Sequence, residues 1–433
     1  MFLLYSLVLT IAFVLMLPLF VLRREKYVSG FRQRLGNYPE FPADGRSVIW
    51  LHCVSVGETN AARPLVDRLI ANFPSHRLIV STTTKTGQEL ARNIFADKAA
   101  AVIYFPFDWK FSVRRALQTF NPSVVLLMET EIWPRFIREA KLAGSKIAIV
   151  NGRLSERSTH RYLLARSFIT RTLGDVDLAL MQGESDARAI RGLGMEPAKI
   201  AVTGNIKFDL VIDPAESAVS EHIRERFGFD GSRPLIIAAS THSPEEKLIL
   251  NAFAQISGQA AKKPRLMIVP RHPERFDAVA ELAAENGFLA ARRSASLMSD
   301  DRNSDVIILD SIGELRAVYQ LADVVFVGGS LIPHGGQSVL EPAAAGKAVV
   351  TGPHTSNFRA VIDKLLAENA IIQIARQNSD AEYAAELSSI FERLLSDRSE
   401  RESLGRNAAA VIEANRGSSD RTIAALAGLV NTE

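Results

Sequence analysis

The feature that most narrows the folds open to this chain is a succession of short, nearly uninterrupted apolar runs. Each is closed by polar residues and followed by a helical pattern. "SVIWLHCVS", "RLIVSTT", "AAVIYFP", "SVVLLMET", "KIAIVNG", "DLALMQG" and "IAVTGN" succeed one another between residues 47 and 205. Strands without apolar–polar alternation are buried on both faces, and helices between them return the chain across the sheet. The runs therefore predict a parallel, doubly wound α/β domain. A polar stretch with little periodicity, "DLVIDPAESAVSEHIRERFGFDGSRP", interrupts the pattern. It then restarts with "LIIAAST", "LMIVPRH", "VIILD", "DVVFVGGS", "AVVTGP" and "AIIQIA", and the tail from about Glu382 to Val430 reads as two helices. A chain of 433 residues exceeds what one core usually holds. We therefore expect a first domain over 23–212, a linker over 213–233 and a second α/β domain over 234–433.

The N-terminus is of another kind. "MFLLYSLVLTIAFVLMLPLFVL" carries no charge over residues 1–22, a length that suits a membrane-crossing helix. A cleaved signal peptide would need a basic start, a shorter apolar core and a small-residue cleavage site, and none is evident. Arg23, Arg24, Lys26, Arg32 and Arg34 follow, which by the positive-inside rule places the rest of the chain in the cytoplasm. The expectation is a membrane anchor with a basic flank and the rest of the chain in the cytoplasm. The single cysteine, Cys53, fits a reducing compartment and, within an apolar run, reads as a buried thiol rather than a nucleophile.

Composition removes other classes. With 47% hydrophobic and 23% charged residues and a formal charge of +3, the chain is globular and too mildly basic to imply nucleic acid. There is no HExxH or CxxC, hence no metal site to propose, and neither GxxxxGKS nor GxGxxG occurs. The "DVD" at 175–177 precedes its strand and reads as a loop.

Ligands of doubly wound sheets bind at the carboxyl ends of strands, so the residues closing the apolar runs are the candidates. In the second domain, Gly328, Gly329 and Ser330 let backbone N–H groups approach a ligand, and a helix start near Ser338 favours an anion. Glu341 either accepts from a ribose diol or is an ordinary helix residue. Arg271 offers a planar cationic fork for phosphate and His272 a further donor. Ser240 and Thr241 end another run, where they either meet the ligand or lie beside simple N-capping by Ser243. In the first domain, Glu58 follows "SVG" at a strand-to-helix turn, where it acts as a base or merely complements the helix dipole. Glu129 and Glu131 end another strand, and Arg153 and Arg157 supply cations for an anionic acceptor; salt bridges among these residues are the competing reading.

Taken together, "SVGE", "TTTKTG", "FPFD", "METEIWP", "NGRLSERS", "GNIKFD", "ASTH", "PRHPERF", "FVGGS", "LEP" and "GPHTSNF" closely resemble the bacterial Kdo transferases. Those enzymes move 3-deoxy-D-manno-oct-2-ulosonic acid from CMP-Kdo onto a lipid A precursor. The resemblance implies a GT-B fold, in which two Rossmann-like domains face across a cleft and hold acceptor and CMP-sugar respectively. It also implies inversion at the anomeric carbon without a catalytic metal or cofactor. The family's proposed general base falls on Glu58. Its CMP contacts fall on Arg271, His272, Gly328 to Ser330 and Glu341. Lys207 of "GNIKFD" is expected at the domain junction, near the donor's carboxylate or phosphate. Two departures stand out: the family commonly reads "GGHNPLEP" where this chain has "GGQSVLEP", and "NARLSERS" where it has "NGRLSERS". Ser338 keeps a hydroxyl and an N–H at the first of these sites. The rivals are another GT-B enzyme, such as a nucleotide-sugar epimerase or an undecaprenyl-linked sugar transferase, and a non-catalytic, membrane-tethered nucleotide sensor.

Overall fold

A computed structural model describes residues 1–22, 29–209, 215–258 and 263–430. The apolar runs form two separate, wholly parallel seven-stranded sheets. In the first, β1 (Ser47–Cys53), β2 (His76–Thr82), β3 (Ala101–Tyr104), β4 (Val124–Met128), β5 (Lys146–Gly152), β6 (Leu178–Met181) and β7 (Ile200–Val202) lie in the order β3-β2-β1-β4-β5-β6-β7. Successive side chains of a strand point to opposite faces, and here both faces are covered. Trp50 and Leu127 pack on one side with Phe105, Phe120 and Phe136, while Leu51 and Leu126 pack on the other with Leu65 and Val80. Full burial of each such side chain is worth about 1.5–3 kcal/mol.

The second sheet contains β8 (Leu235–Thr241), β9 (Arg265–Pro270), β10 (Ala290–Arg292), β11 (Val306–Ile308), β12 (Val324–Val327), β13 (Ala348–Thr351) and β14 (Ile371–Gln373). Their order is β10-β11-β9-β8-β12-β13-β14. In each sheet the strand order reverses beside the first strand, between β1 and β4 and between β8 and β12. Those reversals are the topological switch points where such sheets take ligands.

The chain divides into two units, one of Met1–Asp209 with the chain from Asn415 onward, the other Leu210–Ala414. This corrects the expected division at its end, because the C-terminal segment belongs to the first unit. The Asp209 carboxylate accepts from the backbone N–H groups of Gly417 (2.7 Å) and Ser419 (2.5 Å), at the start of the helix Ser418–Val430. Leu426 and Val430 then join Leu65 and Leu69 in the core. The tail is three helices, Asp380–Ser396, Arg398–Asn415 and Ser418–Val430, instead of two. The expected linker also contains a helix, Ala215–Phe227, in which Ile223 and Phe227 are fully buried.

A helix runs over Phe2–Leu22, with side chains described through Met16. Among the described residues no helix is long and apolar enough to cross a membrane, so the expected span is not found there. Arg23, Arg24 and Lys26 lie outside the described residues. Arg34 is no free surface charge: it is buried, donates from Nε to the Ser29 carbonyl (3.1 Å) and lies over the Tyr104 ring (4.6 Å).

Candidate active site

In the first unit, β1 and β4 deliver three carboxylates to the switch point. After β1 the chain turns at Ser55, whose side chain caps the short helix Val56–Ala61 by accepting from the Glu58 N–H. The reciprocal bond runs from Ser55 Oγ to Glu58 Oε1 (3.0 Å), and the Val54 N–H donates to Glu58 Oε2 (2.7 Å). These bonds fold the side chain back over the end of β1, where it is 7% exposed. Burial pushes its carboxyl up to about 7; the nearby charges of Glu129 and Glu131 add to the rise, and the Val54 N–H and Ser55 hydroxyl oppose it.

Glu129 and Thr130, which follow β4, both take the left-handed conformation, at φ 51° and 68°. Two consecutive non-glycine residues there are unusual, and a bond from the Arg153 N–H to Thr130 Oγ1 (2.9 Å) helps hold them. Burial, then the charge of Glu129, raises the Glu131 carboxyl. Lys207 Nζ lies 2.8 Å from Glu129 Oε1. The lysine's turn is set by Asn205 Oδ1, which accepts from the Lys207 N–H (3.0 Å), and by Asn151 Oδ1, which accepts from the Ile206 N–H (3.1 Å). Lys207, expected at the domain junction near the donor, is thus in the first unit and paired with Glu129. Beside Arg153, the Leu154 N–H donates to Asp186 Oδ1 (2.8 Å), and the Arg153 charge partly offsets the rise that burial gives the Asp186 carboxyl. Arg157 belongs to the helix Glu156–Leu164, and its side chain lies outside the described residues.

In the second unit, β8 and β12 bring Ser240, Thr241, Gly328, Gly329 and Ser330 together. Ser240 is left-handed (φ 53°) where the β8–β9 register shifts. A Cβ on Gly328 would come within 2.8 Å of the Ser240 carbonyl oxygen and Thr241 Cα, so the approach of the two strand ends requires glycine. The N–H groups of this loop, however, are already engaged. Glu245, fully buried, accepts at Oε2 from Gly329 (2.7 Å) and His242 (3.0 Å), and at Oε1 from Ser330 (2.9 Å) and Leu331 (2.9 Å). The donors expected to cradle a phosphate at Gly329 and Ser330 are therefore satisfied by a side chain of the protein itself. Sequence reasoning missed Glu245; the available signal was an acidic residue straight after Pro244, at the start of the helix Glu245–Ser257.

Imidazole and guanidinium side chains cluster beside this loop. The His242 ring lies 5.1 Å from that of His272 and 4.6 Å from that of His334, and Gln337 Nε2 is 3.3 Å from His242 Nε2. Burial, then the neighbouring imidazole and guanidinium groups with His334 first, lower His242 to about 4, so it is neutral near pH 7. Arg271 and His272 are exposed at the end of β9, where the Arg271 N–H donates to the Thr241 carbonyl (2.9 Å). Ser338 precedes the five-residue helix Leu340–Ala344; its hydroxyl accepts from the Leu340 N–H (3.4 Å) and donates to Glu341. Among the described residues no group of three or more His, Cys, Asp or Glu side chains is arranged to hold a metal ion.

Comparison with known proteins decides the family. Residues 29–210 match the family model of 3-deoxy-D-manno-octulosonic-acid transferase (kdotransferase). A 3-deoxy-D-manno-octulosonic acid transferase of Haemophilus influenzae is 35% identical over 403 residues, covering 93% of this chain and 91% of its own. This chain belongs to the Kdo transferase family. A second member, from Bordetella pertussis, is 31% identical and covers 89% and 88% of the two chains. As a Kdo transferase homologue it is a glycosyltransferase, and its enzyme class rests on that kinship, not on the fold. A glycosyltransferase from Rickettsia africae (TM-score 0.58, 12% identity, covering 90% of this chain and 100% of that one) shares the GT-B fold. So does the UDP-GlcNAc 2-epimerase of Neisseria meningitidis (TM-score 0.57, 13% identity, 88% and 100%). The fold by itself leaves both chemistries open.

Proposed function

We propose that this enzyme transfers Kdo from CMP-Kdo to the lipid A precursor (lipid IVA) in lipopolysaccharide biosynthesis, with inversion at the anomeric carbon and Glu58 as general base. The observation that carries the reading is Glu58 itself, a buried carboxyl at the switch point of the first sheet, raised to about 7. A general base works best with a pKa near the operating pH. The ionised Glu58 removes the proton from a primary hydroxyl of the acceptor as that oxygen attacks the ketose carbon of Kdo. The bond from that carbon to the phosphate oxygen breaks, and CMP leaves with the electron pair. Lys207, paired with Glu129, keeps the carboxylates beside Glu58 from being wholly unbalanced.

On the donor side, Arg271 and His272 take the leaving phosphate, since the Gly329 and Ser330 N–H groups are held by Glu245. Neutral His242, with Gln337 and Ser338 beside the same loop, supplies hydrogen bonds without charge. Glu341 stays a candidate for the ribose hydroxyls. Glu131, Arg153 and Arg157 are the acceptor-side candidates. We further propose that the uncharged N-terminal helix (Phe2–Leu22) holds the enzyme on the cytoplasmic side of the bacterial inner membrane, where a lipid acceptor is concentrated.

The test is incubation of the detergent-solubilised full chain with CMP-Kdo, generated in place, and tetraacylated lipid A precursor, followed by product masses. Gains of one or more Kdo units support the reading. Intact acceptor with bound CMP would contradict it and favour a nucleotide sensor, and turnover of a UDP-sugar would favour the epimerase class.

A further inference from the structure

In the second unit a single helix start pins both of the loops that flank β8. Glu245 and Glu246 open the helix Glu245–Ser257, and both are fully buried. Consecutive residues of a helix point about 100° apart, so the two carboxylates face different neighbours. Glu245 turns to the loop after β12, where it accepts from the N–H groups of Gly329, Ser330 and Leu331. Glu246 turns to the end of β8 and the loop after β9, the loop that carries Arg271 and His272. Its Oε1 accepts from Thr241 Oγ1 (3.2 Å) and its Oε2 from Arg275 Nη2 (3.2 Å). Thr241, expected among the ligand contacts, therefore spends its buried hydroxyl inside the protein.

The loop after β9 is tied at both ends. At its start the Arg271 N–H donates to the Thr241 carbonyl (2.9 Å), and at its close the Arg275 N–H donates to the His272 carbonyl (3.0 Å), across the turn Pro273–Arg275. The Arg275–Glu246 pair then fastens that turn to the helix beside it. A buried carboxylate held by one hydroxyl and one guanidinium is costly to leave unpaired, which keeps the fastening shut. Between the two ties the Arg271 and His272 side chains are exposed. Long exposed side chains lose rotamer freedom when they grip a ligand, so a backbone already fixed beneath them lowers the cost of binding.

We propose that Glu246 and Arg275 are positioning residues for the donor's phosphate: the buried carboxylate latches Arg275, and the latch holds Arg271 and His272 where one phosphate meets both. The inference rests on the reading of Arg271 and His272 as the groups that take the leaving phosphate. It gives the two arginines of "PRHPERF" separate tasks, Arg271 toward the ligand and Arg275 toward the protein. Arg275 Nε is buried and, among the described residues, has no partner, so this guanidinium has a donor to spare. The rival is a direct contact of Arg275 with the phosphate, and the two readings forecast opposite results at Glu246.

Calorimetry of the full chain with CMP and with cytidine decides between them. Glu246→Gln keeps the shape and an oxygen for Thr241 but removes the charge that holds Arg275. The latch predicts CMP affinity weakened by about fivefold to tenfold, with cytidine affinity unchanged, because only the groups that meet the phosphate are displaced. Arg275→Met should match it, and the double variant should be no weaker than either single one, as for residues acting through one shared bond. At saturating CMP-Kdo, kcat should stay within about threefold of wild type while KM carries the loss. Unchanged or tighter CMP binding in Glu246→Gln, beside weaker binding in Arg275→Met, would overturn the latch in favour of direct contact. An equal loss for CMP and cytidine would overturn it in favour of a general loosening of the unit. If Glu246→Gln does not fold, Thr241→Val removes the other bond that orients Glu246 and keeps both charges. That variant should lose CMP affinity selectively, by about threefold, and wild-type CMP affinity in it would overturn the latch. Arg271→Ala checks the reading beneath: wild-type CMP affinity there would sink the phosphate assignment itself, whereas a loss there without any effect of Glu246→Gln would sink the latch alone.

Discussion

Glu58 and Glu245 occupy nearly equivalent places in the two units. Each follows the first strand of its sheet, stands at a helix start and is buried. Glu58 receives one backbone N–H and one serine hydroxyl and sits among two other carboxylates. Glu245 receives four backbone N–H groups. Burial raises both carboxyls, but the four donors at Glu245 favour its anion, while the neighbours of Glu58 disfavour the charge further. The same residue type at the same topological place is thus a carboxyl raised to about 7 in one unit and a strap across a loop, held by four N–H groups, in the other. What differs is the count of donors and the presence of two neighbouring carboxylates.

The largest effect that sharpens this contrast is on turnover. Glu58→Gln should lower kcat by roughly 10²–10⁴, the usual range for a lost general base, with CMP affinity, read by calorimetry, within about twofold of wild type. Next, Glu245→Ala should leave turnover to be lost only through instability. With four buried N–H groups unpaired it should cost on the order of 3–5 kcal/mol in denaturant unfolding and weaken CMP binding as the loop shifts. An alanine variant of wild-type stability would break the assignment of Glu245 as a strut. Lys207→Met removes the cation beside Glu129. Measured as the pH dependence of kcat, the midpoint for Glu58 should then move upward by about 0.5–1 unit.

The smallest effect concerns stability. A carboxyl whose folded pKa is near 7 binds its proton more tightly folded than unfolded, so its contribution is full below the unfolded value and is lost as pH rises through about 7. Glu58→Gln should therefore be more stable than wild type at pH 8, by on the order of 1–3 kcal/mol, and lose that advantage by about pH 4. Equal unfolding midpoints at both pH values would contradict the raised pKa.

Much of this was written locally. The strands of both sheets announced themselves as continuous apolar runs, except β10, whose sequence Ala-Ala-Arg carries no such signal. The helix Ala215–Phe227 was concealed because its buried Ile223 and Phe227 are set among charges. The return of residues 415–430 to the first unit depends on Asp209 meeting Gly417 and Ser419 across some 200 positions, a tertiary fact that no local pattern encodes. At the site, Glu58 and its neighbours were legible as polar closures of apolar runs. Lys207 was legible as a candidate but not as the partner of Glu129, and Glu245 was not singled out at all. In each case the hidden information is which donor meets which acceptor once strands β1 and β4, or β8 and β12, lie side by side.

The central claim is that Glu58 supplies the base. It is tested most directly by the pH dependence of kcat/KM for wild type and Glu58→Gln, with CMP-Kdo and lipid A precursor as substrates. The account predicts a rising limb with a midpoint near 7 in wild type and its disappearance in the variant. A limb of the same midpoint surviving in Glu58→Gln would contradict it, and would move the base to another group.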